Sequence, residues 1–125
     1  MSSMAGASWA GGAYTPADAA HKFQVLQRRC EEVGRSYSSI LRATQFSPLI
    51  LAETEALVQA KLDRFPKDAL AFLEQTVLAT TPGEAIRRMQ ALVDVGFQYF
   101  LCGIAGNDAE TLTLLAQQVI PALLA

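Results

Sequence analysis

The side chains that most often perform chemistry are scarce in this sequence. His21 is the one histidine, and its polar neighbours beside a helix start favour a surface residue over a general base. Cys30 and Cys102 form no CxxC pair, so two buried free thiols are expected. No nucleophile–base pair, P-loop or dinucleotide fingerprint occurs, and no acidic or cysteine cluster suggests a metal. We therefore expect no catalytic residue and no metal site.

The basic residues have ordinary explanations, with one exception. Arg87 and Arg88 lie on an amphipathic helix, and Glu84 precedes Arg88 by four residues, the spacing of a solvated ion pair. Arg42 falls in a strand-like stretch, where a charge needs a partner. It could face an ion pair or an assembly surface, and the sequence leaves both open.

Two helix starts share one pattern. Thr-Pro-x-acid occurs at residues 15–18 and again at 81–84, with Thr as a cap, Pro at the first helical position and an acid that can reach back. Apolar residues then recur at spacings of three and four, and Gly34 and Gly96 are predicted to end the two helices.

Two stretches indicate strands. Residues 39–46 predict a strand with an extended continuation beyond Ser47-Pro48, and the apolar run Phe97–Ile104 predicts one that is buried on both faces, as in a parallel sheet.

Further helices are expected between these strands and after them. One should run from Thr54 to Pro66 and a short one from Lys67 through Leu70, Leu73 and Val77. A last helix after Asn107 should be loosened by Pro121. Strands alternating with helices indicate an α/β fold, and so few strands indicate a sector of a larger sheet.

Composition limits the possible partners. The 125 residues suit one domain, preceded by a flexible Gly- and Ala-rich leader at residues 1–14. Ten basic against twelve acidic residues form no basic stripe, so no nucleic-acid partner is expected. No apolar run is long enough for a membrane span, so a cytoplasmic protein is expected. Charged residues make up only 18% of the chain, which suggests a partner surface or a larger assembly.

A family resemblance follows from the ordered motifs. Residues 81–84, the stretch Ala-Leu-Val-Asp-Val-Gly-Phe-Gln-Tyr-Phe at 91–100 and Val-Ile-Pro-Ala-Leu at 119–123 resemble the C-terminal end of luciferase-like monooxygenases, especially their deazaflavin-dependent branch. Residues 21–35 resemble the helix after strand six, so residues 39–42 would begin strand seven and 97–104 would be strand eight. The resemblance covers residues 15–125. It implies a partial (β/α)8 TIM barrel, a C-terminal sector with two to three parallel strands and about five helices.

The resemblance also implies a cofactor, FMN or a deazaflavin, used for hydride transfer or oxygen activation. A whole barrel needs roughly 200–250 residues, so the strands that bear the family's catalytic groups are expected to be missing and the chain to be inactive alone. In such barrels the loops after strands seven and eight hold the cofactor phosphate. The residues of this sequence at those places are Thr80, Thr81, Gly83, Gly103, Gly106 and Asn107. The alternative is that these are ordinary caps and turns. Family members often have Gly where Thr80 stands, and its side chain could obstruct a phosphate.

Partners follow from the same reasoning. A parallel sector exposes strand edges, so a homo-oligomer or an upstream-encoded barrel partner is expected. The competing hypothesis is a non-catalytic, self-associating α/β or helical interaction module.

Overall fold

The computed structural model describes residues 15–69 and 76–124, so the leader predicted at 1–14 lies outside the described residues. The elements in chain order are α1 (Pro16–Val33), a 3₁₀ turn (Tyr37–Ser39), β1 (Ala43–Phe46), β2 (Leu49–Leu51), α2 (Glu55–Leu62), β3 (Leu78–Thr80), α3 (Pro82–Val95), β4 (Tyr99–Cys102), α4 (Ala109–Leu114), a π-helical segment (Leu115–Val119) and α5 (Ile120–Leu124).

The helix boundaries read from the sequence are confirmed for α1 and α3. Thr15 Oγ1 accepts a hydrogen bond of 3.1 Å from the N–H of Asp18, which caps α1. The helix ends at Gly34, whose φ of 75° is the left-handed conformation that glycine adopts without strain. At the end of α3, Gly96 O accepts a 2.8 Å hydrogen bond from Arg42 Nε. The Arg42 guanidinium also donates to Ile40 O at 3.2 Å and lies 4.4 Å from the centre of the Tyr37 ring, so main-chain carbonyls and an aromatic ring are its partners.

All strand pairs in the described residues are parallel. β1 pairs with β4, from Ala43 opposite Tyr99 to Phe46 opposite Cys102. β2 pairs with β3 over three residues, ending with Leu51 opposite Thr80. A cis peptide bond between Ser47 and Pro48 joins β1 to β2, so the single segment 43–51 is the partner of both other strands. The predicted α/β class is confirmed, as is the side-by-side, same-direction arrangement of the stretches near residues 40 and 100.

Several details differ from the prediction. β1 begins at Ala43, because Ser39 lies in a 3₁₀ turn and its hydroxyl donates to Ser36 O at 2.7 Å. The strand β3 was not predicted. The helix expected from Lys67 covers residues 67–69 in the described part, while Val77 is not helical and residues 70–75 lie outside the described residues.

The order of strands also departs from a simple barrel sector. In a (β/α)8 barrel consecutive strands are neighbours, so β3 would lie beside β4. Among the described residues β3 and β4 instead pair with the shared segment 43–51, and the sheet does not close. The predicted numbering of strands seven and eight therefore fails, because an additional strand lies between them in the chain.

The core lies on one side of the β1–β4 pair. Phe46 is fully buried, and its ring centre lies 5.6 Å from that of Phe100 on β4. Met89 and Leu92 of α3 pack into the same cluster, together with Ala19 of α1. Helices α1 and α3 therefore cover this face of the strand pair.

The end of the chain is a distorted helix. The N–H of Ile120 donates to Leu115 O, one residue further back than in an α-helix, which produces the π-helical segment. Pro121 follows and has no N–H to continue the ladder, yet Ile120–Leu124 is α-helical, so the distortion lies in the turn before Pro121 and not in the final turn that was expected to loosen. None of the helices in residues 15–69 and 76–124 has both the length and the apolar character of a membrane span.

Candidate functional site

The predicted site residues follow the carboxyl ends of the strands. Because β2, β3 and β4 are parallel, the chain leaves all three at the same edge of the sheet, where parallel α/β folds usually bind ligands. Residues 80–83 form one group at this edge, after β3. The second group, after β4, contains Gly103, Gly106 and Asn107.

The first group includes an uncommitted hydroxyl. Thr80 is 2% exposed, and its carbonyl accepts from Ala52 N–H at 3.4 Å. Thr81 occupies the N-cap position of α3 and is half-buried, yet its side chain makes no capping hydrogen bond. Thr15, in the same sequence pattern, does make that bond. Gly83 is exposed, with no atom within 4 Å of where a Cβ would lie.

Glu84 does not complete a capping box at the start of α3. Its carboxylate accepts hydrogen bonds from Arg87 and, at 2.9 Å, from Arg88, rather than reaching back to Thr81. These hydrogen bonds lower the pKa of Glu84 to about 2. The Glu84 carboxylate is therefore ion-paired with both arginines.

In the second group, Gly103 packs against a neighbouring side chain, whereas Gly106 and Asn107 are exposed to solvent. A Cβ on Gly103 would lie 2.7 Å from Ser47 Oγ, so the Ser47 side chain would have to shift for any larger residue to fit there. Gly106 has a φ of 56°, which fits a turn that favours glycine. Gly106 and the exposed Asn107 line a cleft of about 770 Å³, and the other four predicted residues are not part of its wall. The structure therefore does not gather all six in one cavity.

Sequence reasoning missed the best-defined polar cluster at this edge, which is centred on Lys61 of α2. Lys61 Nζ donates to Leu51 O at 2.7 Å, to Asp108 Oδ1 at 2.9 Å and to Glu110 Oε1 at 2.8 Å. Burial lowers the pKa of Lys61, but the hydrogen bonds to Glu110 and Asp108 outweigh it, and the pKa is raised. All three N–H groups are engaged, so Lys61 is a structural cation that ties α2 to the loop after β4.

Asp108 and Thr111 complete this cluster. Asp108 caps α4 by accepting from Thr111 N–H at 3.2 Å, and its other oxygen accepts from the Thr111 hydroxyl at 2.6 Å. Leu51 N–H donates to Thr111 Oγ1 at 2.9 Å, with Thr111 fully buried. Burial raises the pKa of Asp108, but hydrogen bonds from Thr111 and Lys61 outweigh this and lower it. The one sequence pattern that could have indicated this cluster was the Asp-x-x-Thr spacing of residues 108–111, which is typical of a helix cap. Lys61 lies 47 residues away, beyond any local pattern.

The cleft beside this cluster has no histidine, cysteine or hydroxyl side chain among the described residues of its wall. Its wall is mostly apolar and comprises Ile50, Leu57, Ala60, Lys61, Arg64, Phe65, Pro66 and residues 105–110. Lys61 is fully engaged, and His21 is exposed in α1, outside the cleft wall. Cys30 and Cys102 are free thiols, and burial raises the pKa of Cys102. Within residues 15–69 and 76–124, no group of three His, Cys, Asp or Glu could hold a metal ion.

Comparison with known proteins agrees with the fold. The chain is similar to the structure of coenzyme F420 dependent tetrahydromethanopterin reductase from Methanopyrus kandleri, with a TM-score of 0.62 and 15% sequence identity. The similarity covers 90% of this chain and 44% of that one, so this chain spans less than half of the neighbour. No family model matches the chain, and no curated protein sequence matches it. The similarity therefore shows a mixed α/β fold like part of a TIM-barrel-type protein.

Proposed function

We propose that the chain is a C-terminal sector of a luciferase-like oxidoreductase, which contributes the phosphate-binding end of a deazaflavin site and is inactive by itself. The fold supports this, because its structural neighbour is a coenzyme F420 dependent reductase. A deazaflavin, when bound, accepts or delivers a hydride. The residues of this chain would bind and orient the cofactor, since Asp108 and Glu110, the carboxylates on the described part of the cleft wall, are both paired with Lys61.

The observation on which the proposal rests is the unused hydroxyl of Thr81. Two identical Thr-Pro-x-acid patterns start helices, but only Thr15 makes its capping bond. Ala85 N–H is bonded to Thr81 O at 2.9 Å, while the N–H of Gly83 precedes it in the unpaired first turn. Thr81 Oγ1 and Gly83 N–H are thus available donors, and open space above Gly83 permits an anion to approach the backbone.

The residues present fit a phosphate better at the first group than at the second. The unpaired N–H groups at the start of α3 and the positive end of its helix dipole favour an anion there. The buried Thr80 packs behind it and is not a contact in this proposal. Ser47 fills the space over Gly103, whereas Gly106 and Asn107 are accessible and would contact a more distant part of the cofactor.

The test is a titration of the ¹⁵N-labelled chain with coenzyme F420, followed by NMR, with FMN titrated in parallel. We expect weak, saturable binding that shifts the amides of Thr81 and Gly83, competition by inorganic phosphate, and no turnover. Thr81→Val should weaken binding about tenfold, the value of one hydrogen bond to a charged group. Thr113→Val, on an exposed helical position, is the matched control and should bind normally.

Three results would contradict the proposal. Saturating coenzyme F420 that leaves residues 81–83 unshifted would remove the cofactor role. Low-micromolar affinity accompanied by turnover would show that the chain is active alone. Stronger binding of FMN than of coenzyme F420 would show that the site prefers a flavin to a deazaflavin.

A further inference from the structure

The cleft between α2 and the loop after β4 is large enough for a small organic molecule. Its volume of about 770 Å³ falls within the roughly 300–1,000 Å³ of most ligand pockets. Ile50, which is 1% exposed, lies on its wall, together with Leu57 of α2, which is 49% exposed. Phe65 and Pro66 continue the apolar wall beyond the end of α2. A ligand with an apolar body would therefore cover surface that otherwise contacts water.

The charged side chains on the described wall differ in their partners. Lys61 is bonded to Asp108 and Glu110, so these three groups form one ion-paired cluster. Arg64 follows Lys61 by three residues and is exposed, and its side chain has no hydrogen-bond or ion-pair partner among residues 15–69 and 76–124. Its guanidinium presents donors in a planar fork that matches a carboxylate or a phosphate. Arg64 is thus the group on this wall that can select an anion.

The loop after β4 adds a neutral polar group to the same wall. Asn107 is exposed, and its side-chain amide has no hydrogen-bond partner in the described part of the chain. Because an amide both donates and accepts hydrogen bonds, it can orient a ligand without selecting its charge. The preference of the cleft for one charge therefore depends on Arg64.

We propose that this cleft binds a small organic anion, in which an apolar ring system carries one carboxylate or phosphate group. The ring packs on Leu57 and Phe65, and the anionic group pairs with Arg64. The inference does not rest on the cofactor role proposed above, because the first group, residues 80–83, is not part of the cleft wall.

The test uses the full, ¹⁵N-labelled chain without cofactor, titrated separately with 2-naphthoate and with 2-naphthamide, a neutral analogue of the same shape. Dissociation constants in the millimolar range are expected, because both probes are small and the cleft is open. The amides of residues 64–65 and 105–107 should shift to saturation, while those of Tyr99 and Leu101, which are exposed outside the cleft, should not. 2-Naphthoate should bind about three- to fivefold more tightly than 2-naphthamide, since an ion pair at an exposed arginine contributes little.

Two pairs of variants separate the charged from the apolar contribution. Arg64→Gln should bind both probes equally, whereas Arg28→Gln, on an exposed position of α1, should keep the preference for 2-naphthoate. Leu57→Gln should weaken both probes about threefold, whereas Leu112→Gln, 52% exposed outside the cleft, should bind like the wild type. Thr81→Val should bind both probes normally, so failure of this inference is distinguishable from failure of the cofactor proposal.

The proposal fails in any of three cases. Residues 105–107 that stay unshifted at millimolar probe would show that the cleft does not bind such molecules. Equal affinity of the wild type for the two probes would remove the anionic group from the ligand class, and this comparison needs no variant. An unchanged preference in Arg64→Gln would place the anion contact elsewhere, provided that thermal unfolding shows the variant to be folded.

Discussion

Replacing Lys61 by methionine tests the polar cluster between α2 and the loop after β4. The Lys61 side chain is only 15% exposed. Methionine keeps roughly its length and removes the ammonium group. The change abolishes hydrogen bonds to Leu51 O and Asp108, and it leaves a carbonyl and a carboxylate without their shared donor. The contact with Glu110, which is 44% exposed, adds little because solvent screens it.

The expected loss is about 2–3 kcal/mol of unfolding free energy, from one charge-assisted hydrogen bond and one partly buried acceptor left unpaired. For a domain of this size the melting temperature should fall by roughly 10 °C. Urea denaturation followed by circular dichroism measures the difference, and the slope with denaturant should not change. Lys22→Met, on an exposed position of α1, is the control and should be nearly neutral. If Lys61→Met lies within about 0.5 kcal/mol of Lys22→Met, the cluster does not stabilise the fold as argued.

Three further outcomes are expected. Gly103→Ala should destabilise the chain by about 1–3 kcal/mol, because its Cβ would lie 2.7 Å from Ser47 Oγ; denaturation of Gly103→Ala should show this, with partial recovery on adding Ser47→Ala. Thr111→Val should cost about 1–3 kcal/mol in the same assay, because Leu51 N–H then loses its buried acceptor; an unchanged midpoint would refute this. Glu84→Gln should cost about 0.5 kcal/mol at neutral pH. Since the pKa of Glu84 is lowered from 4.5 to about 2, the difference from wild type should disappear as the pH falls through that interval; a constant difference would refute the assignment.

The sequence predicts best where local rules decide the structure. The start of α1 was predicted from a threonine, a proline and an apolar stripe, and its end from a glycine. These predictions succeeded because capping and periodicity depend on neighbours in the chain. The parallel pairing of β1 with β4 was also predicted, from strands alternating with helices. β3 was missed because three residues are too short for any alternation to be visible.

Other features depended on contacts between distant residues. Phe97–Ile104 is almost wholly apolar, which indicated burial on both faces, yet Tyr99 and Leu101 are half exposed because helices cover only one side. Thr15 and Thr81 have the same local sequence pattern, but only Thr15 makes a capping hydrogen bond. At the second helix, Glu84 is bound instead by two arginines. The cluster around Lys61 joins residues 47 positions apart, so it could not be found from spacing.

The arrangement of strands around the segment 43–51 has a consequence for how the molecule opens. β3 and β4 are each attached to the sheet through this segment, so neither can keep its main-chain hydrogen bonds once it leaves. If the segment 43–51 separates from its neighbours, the strand pairs β1–β4 and β2–β3 are both lost. Amide hydrogens bonded along 43–51 should therefore exchange with solvent most slowly among the described residues, only through global unfolding, while those of the C-terminal helix with its π-helical segment exchange earlier.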